Sequence, residues 1–571
     1  MVQTFDRKVE LIGILFCVLC LAYFYIVDRI VFSSADFSVI FRSLLLIYDI
    51  KVAWLAVATC FLAAIWNRPI PVLRLIDFLS TRPVLVWFLT TAILSFGTNV
   101  IYHNYPLCMD EYAAVFQARI FAAGHIFTTF PLTVINWLVL PGFNGSFLVV
   151  SPDSGRAIEG YWPGFALLLA PFVLFGIPWA CNATLSGLAV FLIFRITLDI
   201  SGSRRAAGWA VLFTLASGAF LANGISYYSM QAHLTANLLF VALLLNPSSK
   251  RAFIAGCIGA LALILHNPFP HVLFAIPWVV ALMRNRDRHR YLLPLFLGYL
   301  PGLIIGYAWL LLRMDISTIA GDTSSVTKAL NGVFVWPDAV LLDMRAASIA
   351  KMWVWATPCL FLFAFVGFWQ NRNNRHVSLL GQSALLTFAA YLFVKLDQGH
   401  GWGYRYFHSA WGVIPILAGC AMVNKERINL RFISFAGASA VLSLLVIVPT
   451  QMYQIQGFIA RHLAQVATPR KPGNNVYFIQ AAGGFYTADM IQIDPFLRDE
   501  DLILASRGKQ LDDILIKQNF PGAVEIRDGF FVAHWYLGPI DQRHSLPGDA
   551  NSKQFKLFFS SQLGTSGNSQ R

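Results

Sequence analysis

The stretch YHNYPLCMDEYAAVFQARIFAAGHIF, residues 102–127, decides how the rest of the chain is interpreted. It begins where a long apolar run ends, opens with the adjacent carboxylates Asp110 and Glu111, and continues as an amphipathic pattern that carries Arg119 and His125. Acidic residues at the end of a membrane helix are expensive to place there and commonly serve a function. We therefore expect an acidic pair at one membrane face, facing a substrate carried by lipid.

The composition is that of a membrane protein. Of the 571 residues, 57% are hydrophobic and only 12% are charged, whereas soluble domains carry about a quarter of charged residues. The net charge of +13 is explained by the excess of lysine and arginine that cytoplasmic loops of membrane proteins carry. The sequence has no basic run interleaved with aromatic residues, so the charge does not indicate a nucleic-acid partner. The fold class is a polytopic α-helical membrane protein.

Apolar runs predict about thirteen membrane spans with the amino terminus inside. The first run lacks a small-residue cleavage site, which favours a retained helix over a signal peptide. The predicted spans are 10–27, 43–66, 83–102, 178–199, 206–222, 233–246, 252–266, 271–283, 291–312, 352–371, 377–394, 408–424 and 431–449.

The apolar segment PGFALLLAPFVLFG, residues 163–176, is short and broken by proline. We interpret it as an interfacial helix, because a spanning helix there would move the later arginine clusters outside. Residues 103–177 then form the first large non-cytoplasmic loop, next to the acidic pair.

The chain divides into three regions by composition. Residues 1–82 hold two helices and a cytoplasmic linker, and 83–450 hold the catalytic membrane domain. In the last region, 451–571, NNVYFIQ and EDLILA are typical of short buried strands. A small non-cytoplasmic α/β domain is expected at 473–540, followed by a loose polar tail at 541–571.

Two interpretations of the acidic pair are open. Carboxylates at a helix start are stabilised by the helix dipole, and Glu111 and Arg119 share a helix face on which a local ion-pair network could form. Alternatively, one carboxylate is a general base that takes the proton of an attacking hydroxyl, while the other binds the acceptor or orients the base.

A second candidate is GHGWGYRYFH, residues 399–408. Its glycines permit close backbone approach to a ligand, and Arg405 offers a planar fork suited to phosphate, with Lys395 as a further cation. An aromatic loop at the lipid interface is the alternative. Further candidates for lining a substrate cavity are His125, Tyr161, His233, His266, His271, His400, Tyr404 and His408.

The sequence contains no pattern for a dedicated metal or nucleotide site. His266 and His271 flank two prolines without an acidic or cysteine companion, which favours a helix-end turn over a metal site. The eight cysteines are scattered, and most lie in or beside apolar runs, so Cys17 and Cys20 are treated as small hydrophobic residues. No glycine-rich nucleotide loop is present.

MDEYAAVFQARIFAAGHIF, followed by EGYWPGFALLLAPFVLFGIPWACN, resembles the GT-C-fold integral-membrane glycosyltransferases, near the bacterial protein O-mannosyltransferases and the lipid A aminoarabinose transferase. The resemblance spans roughly residues 83–450. It implies that Asp110 is the catalytic aspartate and Glu111 its acidic neighbour, and that Arg405 meets the donor phosphate. The implied donor is a polyprenyl-phosphate-linked sugar.

These observations together predict an inverting glycosyltransferase in the bacterial inner membrane, acting on a periplasmic glycan, lipid or protein acceptor. Asp110 and Glu111 are the catalytic residues, and Arg405, Lys395 and Arg119 the phosphate-binding ones. No cofactor is required, although a divalent cation on the acidic pair is left open. The rival functions are a transporter or flippase of a lipid-linked sugar or anion, and a glycan polymerase or ligase with a lipid-diphosphate donor.

Overall fold

The computed structural model describes residues 2–31, 39–66, 70–317, 335–394, 398–423, 430–465, 474–481, 487–499, 501–528 and 532–538. The predicted tail at 541–571 and the candidate Lys395 lie outside these residues. The described chain forms two compact units. The first draws on Met1–Asn104, Trp179–Ile305 and Asp322–Gln456, and the second on Tyr105–Pro178, Gly306–Gly321 and Gly457–Arg571.

The chain is a multi-pass membrane protein by the length and composition of its helices. Within the described residues, six helices are long and apolar enough to cross a bilayer, or seven if one bent pair is a single span. The predicted count of about thirteen therefore stays a prediction. The six are Lys8–Arg29, Ile40–Ile65, Pro83–Val100, Pro178–Ser201, Arg288–Ile316 and Leu430–Ala464, and the bent pair is Arg204–Leu215 with Gly218–Ile225.

The remaining helices of the first unit are shorter. Helical turns of the π type occur at Leu44–Asp49 and Ser443–Ile447, and a 3-10 helix spans Arg405–Ala410. The other helices are Ile70–Thr81, Met230–Leu244, Ser249–Ile264, Phe269–Met283, Ala339–Val354, Leu360–Asn371, Arg375–Tyr391 and Val413–Ala421.

Several predicted spans differ from the observed helices; 206–222, for example, is divided between Arg204–Leu215 and Gly218–Ile225. The segment 352–371 was expected to be one helix, but one helix ends at Val354 and the next begins at Leu360. Pro358 explains the break, since proline has no N–H to donate and disfavours helical geometry in the residue before it. The last span was expected to end near 449, yet its helix continues to Ala464.

Small residues and one ion pair hold the helices of the first unit together. Gly256 and Gly298 face each other so closely that a side chain on either would meet the opposite backbone, as is common where membrane helices pack. Lys351 Nζ lies 2.9 Å from Asp49 Oδ2, and both side chains are fully buried. By contrast, Phe96, Ile304 and Leu445 are 68%, 66% and 66% exposed, which is the pattern of a lipid-facing surface.

The second unit is mixed α/β. Its strands are β1 Thr128–Thr129, β2 Leu148–Val150, β3 Arg156–Glu159, β4 Asn474–Ile479, β5 Asp501–Ala505, β6 Val524–Asp528 and β7 Val532–Gly538. A small antiparallel sheet has the order β1-β3-β2. A second sheet has the order β5-β4-β7-β6, in which β4 and β5 are parallel and the other pairs are antiparallel. The helices are Met109–Ala122, Ile135–Leu138, Gly164–Leu174 and Lys509–Asn519.

One apolar core joins the loop that follows residue 102 to the carboxy-terminal sheet. Tyr112 and Phe116, from the helix Met109–Ala122, belong to the same buried cluster as Phe478 of β4 and Leu504 of β5. The sequence analysis treated these segments as parts of separate regions. The structure shows that the carboxy-terminal strands are a packing surface for the helix that carries the acidic pair.

Candidate functional site

The two acidic residues have different environments at the start of the helix Met109–Ala122. Glu111 is completely buried, and its Oε2 accepts the backbone N–H of Leu107. The Met109 N–H is bound by Asp489 Oδ1 at 2.9 Å. Both acceptors satisfy backbone donors near a helix terminus that would otherwise lack partners. The contact of Glu111 fits the interpretation that the acidic pair stabilises the helix start, and its catalytic role stays a prediction.

Asp110 is half-buried, and its Oδ1 accepts a hydrogen bond from the Tyr161 hydroxyl. Tyr161 follows β3 by way of Gly160, where a side chain would collide with the Ser146 carbonyl. The Tyr161 carbonyl in turn accepts the Trp309 indole N–H at 2.8 Å. Tyr161, a candidate for lining the substrate cavity, is therefore held in place through its backbone and donates a hydrogen bond to Asp110.

The segment 489–499 holds the helix of the acidic pair in position. The Tyr112 hydroxyl donates to the Ile493 carbonyl at 2.5 Å and accepts the Ile493 N–H at 2.9 Å. Gln492 donates to the Pro106 carbonyl at 2.7 Å. These bonds fix the helix and the chain that enters it, because they act on both sides of the helix start.

Arg119 forms no pair with Glu111 in the ion pairs observed among the described residues. Its Nη1 lies 3.6 Å from Asp494 and 3.9 Å from Asp499. Burial raises the pKa of Asp499, and the Arg119 charge opposes that shift. An arginine that faces two carboxylates is a poor site for an anion, so its place in the structure favours a structural role.

Glu159, at the end of β3, was not singled out in the sequence. It is 1% exposed, and its Oε1 has no hydrogen-bond partner among the described residues. Burial raises the pKa of Glu159 well above its ordinary value, because removal from water disfavours the charged form of the carboxyl group. Its position two residues before Tyr161, at the end of the alternating RAIE pattern, is the signal that could have identified it.

A second residue missed by the sequence analysis is Arg313, near the end of the helix Arg288–Ile316. Its Nη2 donates to the Gly145 carbonyl at 2.8 Å, and its side chain is only partly exposed. Arg313 is therefore a half-buried cation in the same unit as Asp110 and Tyr161.

His125 does not line this site. The helix that was expected to carry it ends at Ala122, and His125 is exposed, with its ring 5.8 Å from that of Phe496. The glycine at 124, with a φ of 78°, ends the helical path and turns the histidine outward.

In the first unit, the glycine-rich loop builds a pocket for the Arg405 side chain. Gly401 has a φ of 129°, and a side chain at this position would overlap the Arg405 methylenes. The Arg405 guanidinium lies 4.3 Å from the centre of the Tyr228 ring and donates to the Gln398 carbonyl. Arg405 is 4% exposed, so a buried, preorganised cation results.

Two of the candidate histidines of the first unit, His271 and His408, have hydrogen-bond partners within the protein. His271 is bound on both ring nitrogens, by Asn237 at 2.8 Å and Tyr299 at 2.6 Å. It is a satisfied core residue, and the same holds in part for His408, whose Nε2 lies 3.0 Å from Gln231 Oε1. His400 is buried. His266 is half-buried and lies between the helices Ser249–Ile264 and Phe269–Met283.

Several buried polar atoms of the first unit, on the helix Met230–Leu244 and in or beside the 3-10 helix Arg405–Ala410, have no hydrogen-bond partner within the described part of the chain. Leaving such an atom unsatisfied costs roughly 1–3 kcal/mol, so a group of them indicates a place where a ligand or water binds. These atoms are both ring nitrogens of His233, Gln231 Nε2, the Tyr404 hydroxyl, Ser409 Oγ and Trp411 Nε1.

No family model matches the sequence, and no curated protein matches it. Among solved structures, ArnT from Cupriavidus metallidurans bound to undecaprenyl phosphate is similar with a TM-score of 0.49 and 12% identity, over 79% of this chain and 97% of ArnT. Apo ArnT gives a TM-score of 0.47 with the same identity and coverage.

An oligosaccharyltransferase from Archaeoglobus fulgidus, in complex with Zn and sulfate, is similar with a TM-score of 0.29 and 11% identity, over 81% of this chain and 58% of that protein. ArnT is a lipid A aminoarabinose transferase of the GT-C class.

Proposed function

We propose that the chain is an inverting glycosyltransferase that moves a sugar from a polyprenyl-phosphate-linked donor to an acceptor hydroxyl. The observation that carries this proposal is the asymmetry of the acidic pair. Glu111 is buried against backbone N–H, whereas Asp110 is accessible and oriented by the Tyr161 hydroxyl. A single oriented carboxylate is what a direct displacement needs, since it requires one base and no protein nucleophile.

The reaction is a substitution at the anomeric carbon of the donor sugar. The acceptor hydroxyl gives its proton to Asp110 as its oxygen attacks that carbon. The bond from the carbon to the phosphate oxygen breaks, and the lipid phosphate leaves with the electron pair. Tyr161 holds the base in one orientation, and such positioning supplies a large part of the rate acceleration in reactions of this kind.

The leaving phosphate requires positive charge. Arg405 fits this role because its guanidinium is buried and held over the Tyr228 ring. A planar guanidinium can bind two phosphate oxygens at once. Arg313 is a further candidate cation for the site of Asp110, because it lies in the same unit as Asp110 and Tyr161 and is only partly exposed.

We propose no requirement for a metal ion. A divalent cation shared by the acidic pair would need an oxygen from each carboxylate, and the Glu111 side chain is completely buried, with Oε2 accepting the Leu107 N–H. Activity that is unchanged in EDTA is the expected result, and restoration of EDTA-inhibited activity by added Mg²⁺ or Mn²⁺ would contradict it.

The basic loops favour the bacterial inner membrane, with the acidic pair on the periplasmic side and a cell-envelope glycan, lipid or protein as acceptor. The experiment is to delete the gene and compare envelope glycans and lipids by mass spectrometry. Loss of one sugar mass from an acceptor, restored by wild type but not by Asp110→Asn, supports the proposal. An accumulated lipid carrier with every transfer product intact would instead indicate a transporter, and loss of whole repeat units a polymerase.

A further inference from the structure

Three cysteine thiols from distant parts of the sequence meet inside the first unit. Cys17 lies in the first long helix, Cys60 in the helix Ile50–Ile65, and Cys359 at the proline break before the helix Leu360–Asn371. The Cys359 sulfur is 3.8 Å from each of the other two, and all three sulfurs lie within 4.8 Å of one another. We call these residues the cysteine trio.

The cysteine trio does not follow from the C-x-x-C spacing in the sequence. Cys20 is only half-buried and is not part of the trio, while all three members are 0% exposed. The only other polar atoms recorded next to the trio's thiols among the described residues are the carbonyls of Pro358 and Gly13, at 3.7 and 3.8 Å. The thiols are thus each other's main polar partners.

The spacing of the sulfurs matches a metal bound by three thiols. A metal–sulfur bond of about 2.3 Å places the sulfurs of a planar three-coordinate site about 4.0 Å apart. Two of the three separations are 3.8 Å and the third is at most 4.8 Å, so only a small movement of the sulfurs is needed to reach this geometry. Sulfur ligands select soft metals such as Cu(I) and Zn(II), and Zn(II) in structural sites takes four ligands.

We propose that Cys17, Cys60 and Cys359 form a binding site for Cu(I). Three sulfurs without a nitrogen, carboxylate or fourth sulfur ligand in the group suit this ion, which accepts three-coordination. The thiolate, and not the thiol, is the metal ligand, so binding of Cu(I) displaces the protons of the coordinating thiols, which leave to the solvent.

The test uses the full-length chain, purified in detergent under reducing conditions and titrated with Cu(I) against the competing chelator bicinchoninate. Wild type is expected to take one Cu(I) per chain, and Cys359→Ser to bind at least tenfold more weakly. Cys420→Ala is the matched control, since Cys420 is also buried but lies outside the trio, and it should bind as wild type does.

X-ray absorption on the wild type gives a readout that does not depend on any variant folding. Three sulfur neighbours around copper are expected. Copper coordinated mainly by nitrogen or oxygen, failure of wild type to compete with the chelator, or an equal loss of binding in Cys420→Ala would each overturn the proposal. Cys17→Ala and Cys60→Ala, made in parallel, must weaken binding as Cys359→Ser does.

Discussion

Replacing each acidic residue by its amide separates catalysis from stability. Asp110 is accessible and bonded to Tyr161, whereas Glu111 is buried and caps the Leu107 N–H. A general base contributes roughly 10²–10⁴ in rate, which is about 2.7–5.4 kcal/mol of transition-state stabilisation. Asp110→Asn should therefore remove nearly all transfer, with a stability loss of no more than about 1 kcal/mol, the usual contribution of a partly exposed charge at a helix start.

Glu111→Gln should show the opposite pattern. The amide oxygen can still accept the Leu107 N–H, but the charge at the helix start is lost. That change costs about 1–2 kcal/mol in a buried setting. We expect a lower thermal midpoint in detergent and transfer within a few-fold of wild type, measured as the sugar-bearing acceptor in a complemented deletion strain and normalised to protein level. Equal loss of transfer in both variants at normal stability would refute the division of roles.

Three further outcomes are expected. Tyr161→Phe should lower kcat more than tenfold with KM for the donor unchanged, because it removes only the bond that orients Asp110; a raised KM alone would place Tyr161 in substrate binding. Arg405→Lys should raise the donor KM, since lysine keeps the charge but not the planar fork; kinetics equal to wild type would exclude phosphate contact. Burial raises the pKa of Glu159 in the folded protein, whereas the unfolded chain has the ordinary value of about 4.3. Above that pH, unfolding therefore releases a proton from Glu159, and the contribution of this residue to the free energy of unfolding falls as the pH rises. The thermal midpoint of Glu159→Gln relative to wild type should therefore increase with pH, and a constant difference would contradict a neutral buried acid.

The sequence was sufficient where the signal is local. The acidic pair was expected at the start of a helix after the third apolar run, and the helices Pro83–Val100 and Met109–Ala122 have that order. The strand patterns in NNVYFIQ and EDLILA correspond to β4 and β5. In each case the pattern that predicts the element is contained in a short stretch of neighbouring residues.

Features that depend on distant partners could not be predicted. Tyr112 is bonded to Ile493, 381 residues away, and no pattern near Tyr112 indicates that partner. The division of labour within the acidic pair was also out of reach, because it depends on which carboxylate points into the core. Neither spacing nor composition distinguishes Asp110 from Glu111.

The proline break was missed for a different reason. Pro358 was visible in the sequence, but the surrounding residues are apolar enough to suggest one continuous span from 352 to 371. Hydrophobicity reports where a chain is buried, whereas backbone hydrogen bonding decides where a helix ends. This break also places Cys359 against Cys17 and Cys60.

The most direct test of the central claim is the anomeric configuration of the first transfer product. The donor is an undecaprenyl-phosphate-linked sugar of the mass lost in the deletion strain, presented to the purified chain in liposomes and analysed by NMR after a single turnover. A single base at Asp110, with Glu111 occupied by backbone N–H, predicts a product of inverted configuration. A retained configuration would require a covalent or second displacement step, and would contradict the proposed role of Asp110.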